Sequence, residues 1–331
     1  MYICMVKPRD KTSTMRLIEF SKTFDSEEAC ESYLKEKREE HGVVCCKCGC
    51  KRQYWNKARK RWVCAECGHE TTLTSGTVMH GSKLPLMYWF TAIHLLTSTK
   101  KTFSAKEMQR QLGHKRYQPI WEMMHKLRSV MGERDTQYEL KDTIELDEGY
   151  FGIDDETEDG EELKRGVGSQ RKAKVLVMVE SKESDKPKKG QKKRKCGHLK
   201  MKVIPDLKSG TFKQAVEGSV DKSATVVMDN LASHCGVEEV TGKSERQTVP
   251  AKEAPKVLPW VHIAISNAKA LMRDMYHGVK REFLQEYLNE FCYKFNRMYF
   301  GDGLFDRLVF ASISYKPSFK HRLYGSGGNC G

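Results

Sequence analysis

Two sets of side chains in this sequence are candidates to bind metal ions. The first is Cys45, Cys48, Cys64 and Cys67, two C-x2-C pairs separated by residues 49–63 and each followed by glycine, Gly49 and Gly68. Glycine takes the backbone conformation that lets two thiolates of a short turn converge on one ion. Two such turns supply the four sulfurs of a closed, structural Zn²⁺ site. Cys46 and Cys50 do not stand at that spacing from a turn glycine. The second set is Asp147 in TIELDEGYF and Asp229 in VVMDN, carboxylates set in apolar, strand-like stretches. A carboxylate there is costly unless it is paired or binds a metal. Two of them on neighbouring strands could hold Mg²⁺ or Mn²⁺, hard ions that take oxygen ligands and leave positions open for phosphate. The alternative is a salt bridge for Asp147 and a helix cap near Leu231 for Asp229.

Periodicity indicates the strands and helices on which these groups sit. Thr143–Phe151, Arg171–Glu180 and His198–Leu207 read as strands, Thr211–Gly218 as a helix, and Thr225–Met228 as a short buried strand. That order predicts a mixed α/β domain. Glu145 shares the face of Asp147 by the period-two rule, and Glu148 faces the other way. Ahead of this domain, residues 85–131 are helical in pattern. Ser104 and Glu107 have capping-box spacing, Gly113 marks a turn, and a second helix follows with Pro119 in its first turn. Short helix, glycine turn and longer helix outline a helix-turn-helix, or a plain helical hairpin. The predicted exposed face carries His114, Lys115, Arg116, Gln118, Lys126 and Arg128, suited to a DNA groove. Phe283, Tyr287, Phe291 and Phe295, four apart, predict a core stripe on a late helix, with Glu286 and Glu290 structural or solvent-facing. Residues 182–195, rich in lysine, read as a basic loop able to touch a phosphate backbone, or as a solvated hairpin tip. Residues 236–258 receive no assigned structure.

Composition narrows the partners. The 331 residues are 39% hydrophobic and 31% charged, with a net charge of +14. Such an excess favours polyanions, nucleic acid first. No run approaches the roughly 20 apolar residues of a membrane span, and the first ten residues do not form a signal peptide. The twelve cysteines therefore read as metal ligands in a reducing compartment rather than disulfides.

Seven separated stretches, CKCG/CAECG, SGTVMHGSKLPLMYWFTAIHLLTSTKK, IELDEGYFG, VIPDL, VVMDN, HIAISNAK and YHGVKREFLQEYLNEFCYKFNR, occur in an order that resembles one family. These are the bacterial insertion-sequence transposases of ISXO2-like type, with an N-terminal zinc ribbon and an RNase H-like DDE domain, related to the Merlin elements. The resemblance covers most of residues 20–315. It implies that Asp147 and Asp229 are the first two catalytic acids and that the third position is Asn267, in an Asp-Asp-Asn variant. Asn267 offers a metal a carbonyl oxygen without a charge, and Glu145 and His262 are the nearest substitutes. Lys269 resembles a family lysine that meets phosphate.

The resemblance further implies two divalent ions, DNA partners (the element's terminal inverted repeats and target DNA), a homodimer or larger synaptic complex, and a cytoplasmic, nucleoid-associated bacterial protein. The expected division is 1–40 helical, 41–75 zinc ribbon, 76–135 helix-turn-helix-like, 140–315 RNase H-like, and a tail from 316. Two rivals stay open. One is a DNA-binding regulator without catalysis, for which both aspartates would be dispensable. The other is an RNase H-like nuclease without strand transfer.

Overall fold

The computed structural model describes residues 15–99, 102–154, 169, 171–183, 194–229, 235–241, 243–247, 257–276, 278–296 and 303–316. Two compact units form, one from residues 1–130 and 297–331, the other from residues 131–296.

The first unit opens with α1 (Leu17–Thr23) and α2 (Glu27–His41), the latter capped by Ser26, whose hydroxyl accepts from Ala29 N at 3.2 Å. The ribbon follows as a three-stranded antiparallel sheet, β1 (Gln53–Asn56), β2 (Arg61–Cys64) and β3 (Glu70–Thr72). Next come α3 (Leu86–Ser98), α4 (Ala105–Leu112) and α5 (Tyr117–Asp135). The predicted turn is present. Ser104 Oγ accepts from Glu107 N at 3.1 Å, and Gly113 ends α4 in the left-handed region at φ 63°. Glu107 turns its own carboxylate to Arg110 and Gln111, so the reciprocal half of the capping box is spent elsewhere.

The second unit is built on a five-stranded sheet. Its strands are β4 (Thr143–Gly152), β5 (Lys172–Glu183), β6 (Arg194–Ile204), β7 (Thr225–Asp229) and β8 (Lys243–Gln247), in the order β6-β5-β4-β7-β8. The β4, β5 and β6 pairings are antiparallel, while β7 pairs parallel with β4 and β8 parallel with β7. This is the mixed RNase H-like sheet. β8 falls in the stretch left unassigned from sequence. Its lysine, glutamate and arginine hide a strand whose pairing is supplied by β7. Residues 184–193, most of the expected basic loop, and His277 lie outside the described residues.

Alternation along β4 divides the core into two layers. Ile144 and Leu146 join Leu176, Met178, Val226 and Met228 under α6 (Ser209–Val216) and α7 (Cys235–Glu238). On the other face, Phe151, Val175, Val177 and Val227 pack against α8 (Pro259–Leu271) and α9 (Leu284–Asn296). On α9, Leu284, Leu288 and Cys292 form the buried stripe, and the predicted aromatics Tyr287, Phe291 and Phe295 flank it, half-buried. Glu290 is fully buried with Lys294 Nζ 3.4 Å away, a structural pair.

β6 is an edge strand, and an unpaired edge invites foreign strands. Here α9 covers it with amides. Asn296 Oδ1 accepts from Leu199 N at 2.8 Å and its Nδ2 donates to Leu199 O at 3.0 Å. Gln285 Oε1 accepts from Val203 N at 2.8 Å and its Nε2 donates to Met201 O at 3.1 Å.

The final helix, α10 (Leu304–Ser314), belongs to the first unit, where it packs on α3 and α2. The α/β unit therefore stops at Asn296 and not at residue 315. Phe305 explains the difference, because it joins an aromatic cluster with Phe20, Phe24, Tyr33, Phe90 and His94 in the first unit.

Candidate metal centre and carboxylate site

In the ribbon, the sulfur atoms of Cys45, Cys48, Cys64 and Cys67 all lie within 4.8 Å of one another. Cys45 and Cys67 Sγ are 3.5 Å apart, as are Cys48 and Cys64 Sγ. A tetrahedral zinc with bonds of about 2.3 Å would hold its sulfurs roughly 3.8 Å apart, so the donor set fits. The turn glycines adopt the conformation required, Gly49 at φ 74° and Gly68 at φ 67°. Each donates its N–H to the first cysteine of its pair, at 2.9 and 3.1 Å. The N–H groups of Cys67 and Glu66 lower the Cys64 thiol to about 6, while against the N–H of Cys50 the neighbouring Cys64 and Cys67 sulfurs raise Cys48 to about 12. Cys50 is buried beside Cys45 and Cys64 but takes a backbone bond from Arg52 N at 3.3 Å, and Cys46 meets His69 Nε2 at 3.3 Å.

The second centre forms on the sheet. Parallel pairing runs from Thr143↔Thr225 to Leu146↔Met228. One further step along the same register sets Asp147 beside Asp229. Val227 faces the α8 layer and Met228 the opposite one, so Asp229 points to the α8 side, as Asp147 does. Directly opposed residues on adjacent strands have Cβ atoms about 5 Å apart. The two carboxylates therefore look onto one shared space. Burial raises the Asp147 carboxyl to about 6, with the charges of Glu148 and Asp229 raising it further against the N–H of Glu148 and the nearby His262. Asp147 Oδ1 accepts from Glu148 N at 2.8 Å.

α8 lies over this face and brings His262, whose Nδ1 is 3.7 Å from Asp147 Oδ2. The other ring nitrogen, Nε2, is buried without a hydrogen-bond partner among the described residues. Lys269, two turns on, lies about 20° from His262 around the helix. Its Nζ sits 5.9 Å from the Phe151 ring, and its pKa is lowered by burial and by Lys172 against the pull of Asp147. Asn267 is on the same helix and exposed, but five residues turn it about 140° from His262. Among the described residues no hydrogen bond joins it to either aspartate. Glu145, one pleat before Asp147, accepts from Trp260 N at 2.7 Å and Val261 N at 3.0 Å. Its carboxylate is occupied with the start of α8. The sequence offers Glu145 and His262 together as stand-ins; only the packing of α8 separates an anchor from a neighbour of Asp147.

At the turn between α4 and α5, Gln109 Nε2 donates to the carbonyls of His114 and Lys115 at 2.9 and 3.2 Å, and His114 Nδ1 accepts from Arg116 N at 3.2 Å. This tight turn leaves Lys115 and Arg116 exposed. None of the other four residues expected on that face is fully exposed, and His114 and Gln118 are half-buried. Arg128 is fully buried, with Nη2 donating to Phe103 O at 3.4 Å. Lys126 is half-buried, and that burial lowers its pKa. Both lie beyond the first turns of α5, where the helix has become a core element with Met123, Met124 and Leu127.

Comparison with known protein families matches residues 139–296 to the ISXO2-like transposase domain and residues 25–70 to the transposase zinc-ribbon domain. The chain is a transposase that joins a transposase zinc ribbon to an ISXO2-like transposase domain. Among solved structures, a pre-cleavage Mos1 transpososome is similar at 10% identity, over 68% of this chain and 79% of that one, with a TM-score of 0.25. The Mos1 strand transfer complex (11% identity, 66% and 73% covered, TM-score 0.27) and a Mos1 paired-end complex with the left transposon end (12%, 67% and 78%, 0.26) follow. No curated protein matches the chain. Among the described residues, no helix of this transposase is long and apolar enough to cross a membrane.

Proposed function

We propose that this transposase cuts the ends of a mobile DNA element and joins the freed 3′-hydroxyl to target DNA. The observation that supports this reading is the β4–β7 register, which runs to Leu146↔Met228 and, carried one residue on, would bring Asp147 beside Asp229 on the face beneath α8. A buried Asp147 carboxylate, raised first by burial and also by the charge of Asp229, is a poor arrangement by itself and a good one around divalent cations. In this reading Asp147 and Asp229 hold Mg²⁺ or Mn²⁺, with His262 close to the Asp147 carboxylate; Asn267, turned about 140° from His262 around α8, is taken as third ligand through its amide oxygen on the resemblance of its motif alone. Bound there, such ions supply Lewis-acid stabilisation of an in-line phosphoryl displacement. Lys269 holds the phosphate from the α8 side. Lys115 and Arg116, held out by the Gln109 turn, approach the terminal repeat at the start of α5, the usual reading end of a helix-turn-helix. The zinc ribbon adds backbone contacts, consistent with the +14 charge. Since two ends must be brought together, the working form is a dimer or larger synaptic complex.

The test is strand transfer on the element's own terminal DNA. The native chain is compared with Asp147→Ala, Asp229→Ala and Asn267→Ala, in Mg²⁺, Mn²⁺ or EDTA. Metal-dependent cutting and joining should fall at least about 1,000-fold in both aspartate variants, with end binding retained. Loss in Asn267→Ala of more than about tenfold, relieved by higher metal, assigns the third ligand. End binding without cutting in any metal overturns the reading in favour of a regulator.

A further inference from the structure

α8 has no cap of its own. The residue before it is Leu258, with no side-chain bond to the helix, and Pro259 occupies the first turn. Orphan N–H groups at a helix start are ordinarily met by a serine, threonine or aspartate at that place. Here they are met from another element. Glu145, only 4% exposed, reaches from β4 to Trp260 N at 2.7 Å and Val261 N at 3.0 Å. A local cap would satisfy these donors equally well and leave the helix untied to the sheet. A buried carboxylate on β4 does something more, because the next residue on the same face is Asp147. One rigid strand thus carries the aspartate and, one pleat away, the anchor of the helix that faces it. His262, adjacent to the anchored Val261, lands 3.7 Å from Asp147. Asn267 stands about 7.5 Å further along the axis than His262, its height set by the same two bonds.

We propose that Glu145 is a positioning residue for phosphoryl transfer: it fixes α8 against β4, and through α8 the residues that face Asp147 and Asp229. This rests on the transposase reading of the carboxylate site. Glu145 does not touch DNA or the reacting atoms. Its effect is geometric, and displacements of about 1 Å at such sites cost on the order of 100-fold in rate.

Glu145→Gln keeps an acceptor oxygen for the two N–H groups, and Glu145→Ala removes it. Both are made in the full chain. Amide hydrogen exchange is read at Trp260 and Val261, and kcat and KM for end cleavage are read in Mn²⁺. Glu145→Ala should expose those two amides at least about tenfold more, with the β4, β5 and β7 amides unchanged. Its kcat should fall about 100-fold while KM for end DNA moves less than about threefold. Glu145→Gln should keep the protection and stay within about tenfold of the native kcat. An alanine variant with exposed amides and native kcat reduces Glu145 to a plain helix cap and overturns the proposal. So does a glutamine variant that keeps the protection but loses kcat as alanine does, which would make Glu145 a charged ligand. Should the alanine chain not fold, the glutamine chain decides on that criterion. A native chain that never cuts defeats the transposase reading and not the tether, which the exchange measurement reads independently.

Discussion

The ribbon and the carboxylate site both gather costly groups, but they do so over very different stretches of chain. Cys45 and Cys67, whose sulfurs touch in the ribbon, are 22 residues apart. The bonds that seat α8 over the aspartates span 115 and 116 residues. The ribbon's four donors stand within 4.8 Å of one another, held by two glycine turns and a short sheet. No comparably tight set of acidic or histidine ligand atoms occurs around Asp147 among the described residues. A closed set of four thiolates suits an ion that stays and folds its own surroundings. An open pair of carboxylates suits ions that must also admit a phosphodiester. One site stabilises its fold through its metal. The other is imposed on a fold stabilised elsewhere.

The largest effect that would break this contrast is expected in the ribbon. Cys64→Ala should lower bound zinc from one per chain to near zero and unfold residues 45–72, since structural zinc supplies about 10 kcal/mol or more in isolated ribbons and fingers. The α/β unit should keep its own transition. Metal analysis and calorimetry read both, and a single common transition lost in the variant would show that the two sites are not independent.

The next effect lies at the sheet edge. Asn296→Ala removes three hydrogen bonds, two to Leu199 and one to the Tyr138 hydroxyl at 2.6 Å. It leaves the buried Leu199 backbone unmatched, which should cost about 3 kcal/mol and raise the tendency to self-associate. Zinc content should be native. Urea unfolding and light scattering check it; a cost below about 0.5 kcal/mol would mean the amide is dispensable and the core alone holds the edge.

The smallest effect has the opposite sign. Asp147 carries a carboxyl raised to about 6, first by burial. A carboxyl whose folded pKa exceeds its unfolded value penalises the folded state once it is ionised, so the penalty is full above about pH 6 and fades as pH falls through that value. Asp147→Asn should therefore stabilise the metal-free protein at pH 7 by on the order of 2 kcal/mol. The gain should vanish near pH 4. Thermal melts at the two pH values read it. A destabilised variant at pH 7 would mean that His262 outweighs burial and that the site is structural after all.

How much was legible follows from how far each feature reaches along the chain. The turn glycines, the helix start at Ser104 and its end at Gly113 depend on nearest neighbours, and residue type alone places them. The strands β4, β5 and β7 carry their burial in their own apolar residues. β8 does not, because its polar sequence becomes a strand only beside β7. Lys126 and Arg128 look solvent-facing by composition, yet the packing around α5 encloses them. In the same way nothing along the chain distinguishes Glu145 from His262.

The zinc knuckle, the charge that favours a polyanion, the two apolar strands that each carry an aspartate, and the family were all legible along the chain. Each of these rests on covalent spacing or on a residue's own free energy of transfer. It took folding to extend the β4–β7 register toward Asp147 and Asp229, to spend Glu145 on α8, to bring His262 to Asp147, and to draw α10 away from the α/β unit. Those facts depend on sheet register and helix seating. Register and seating are fixed by many weak contacts summed over distant segments, and no single residue or local spacing encodes that sum.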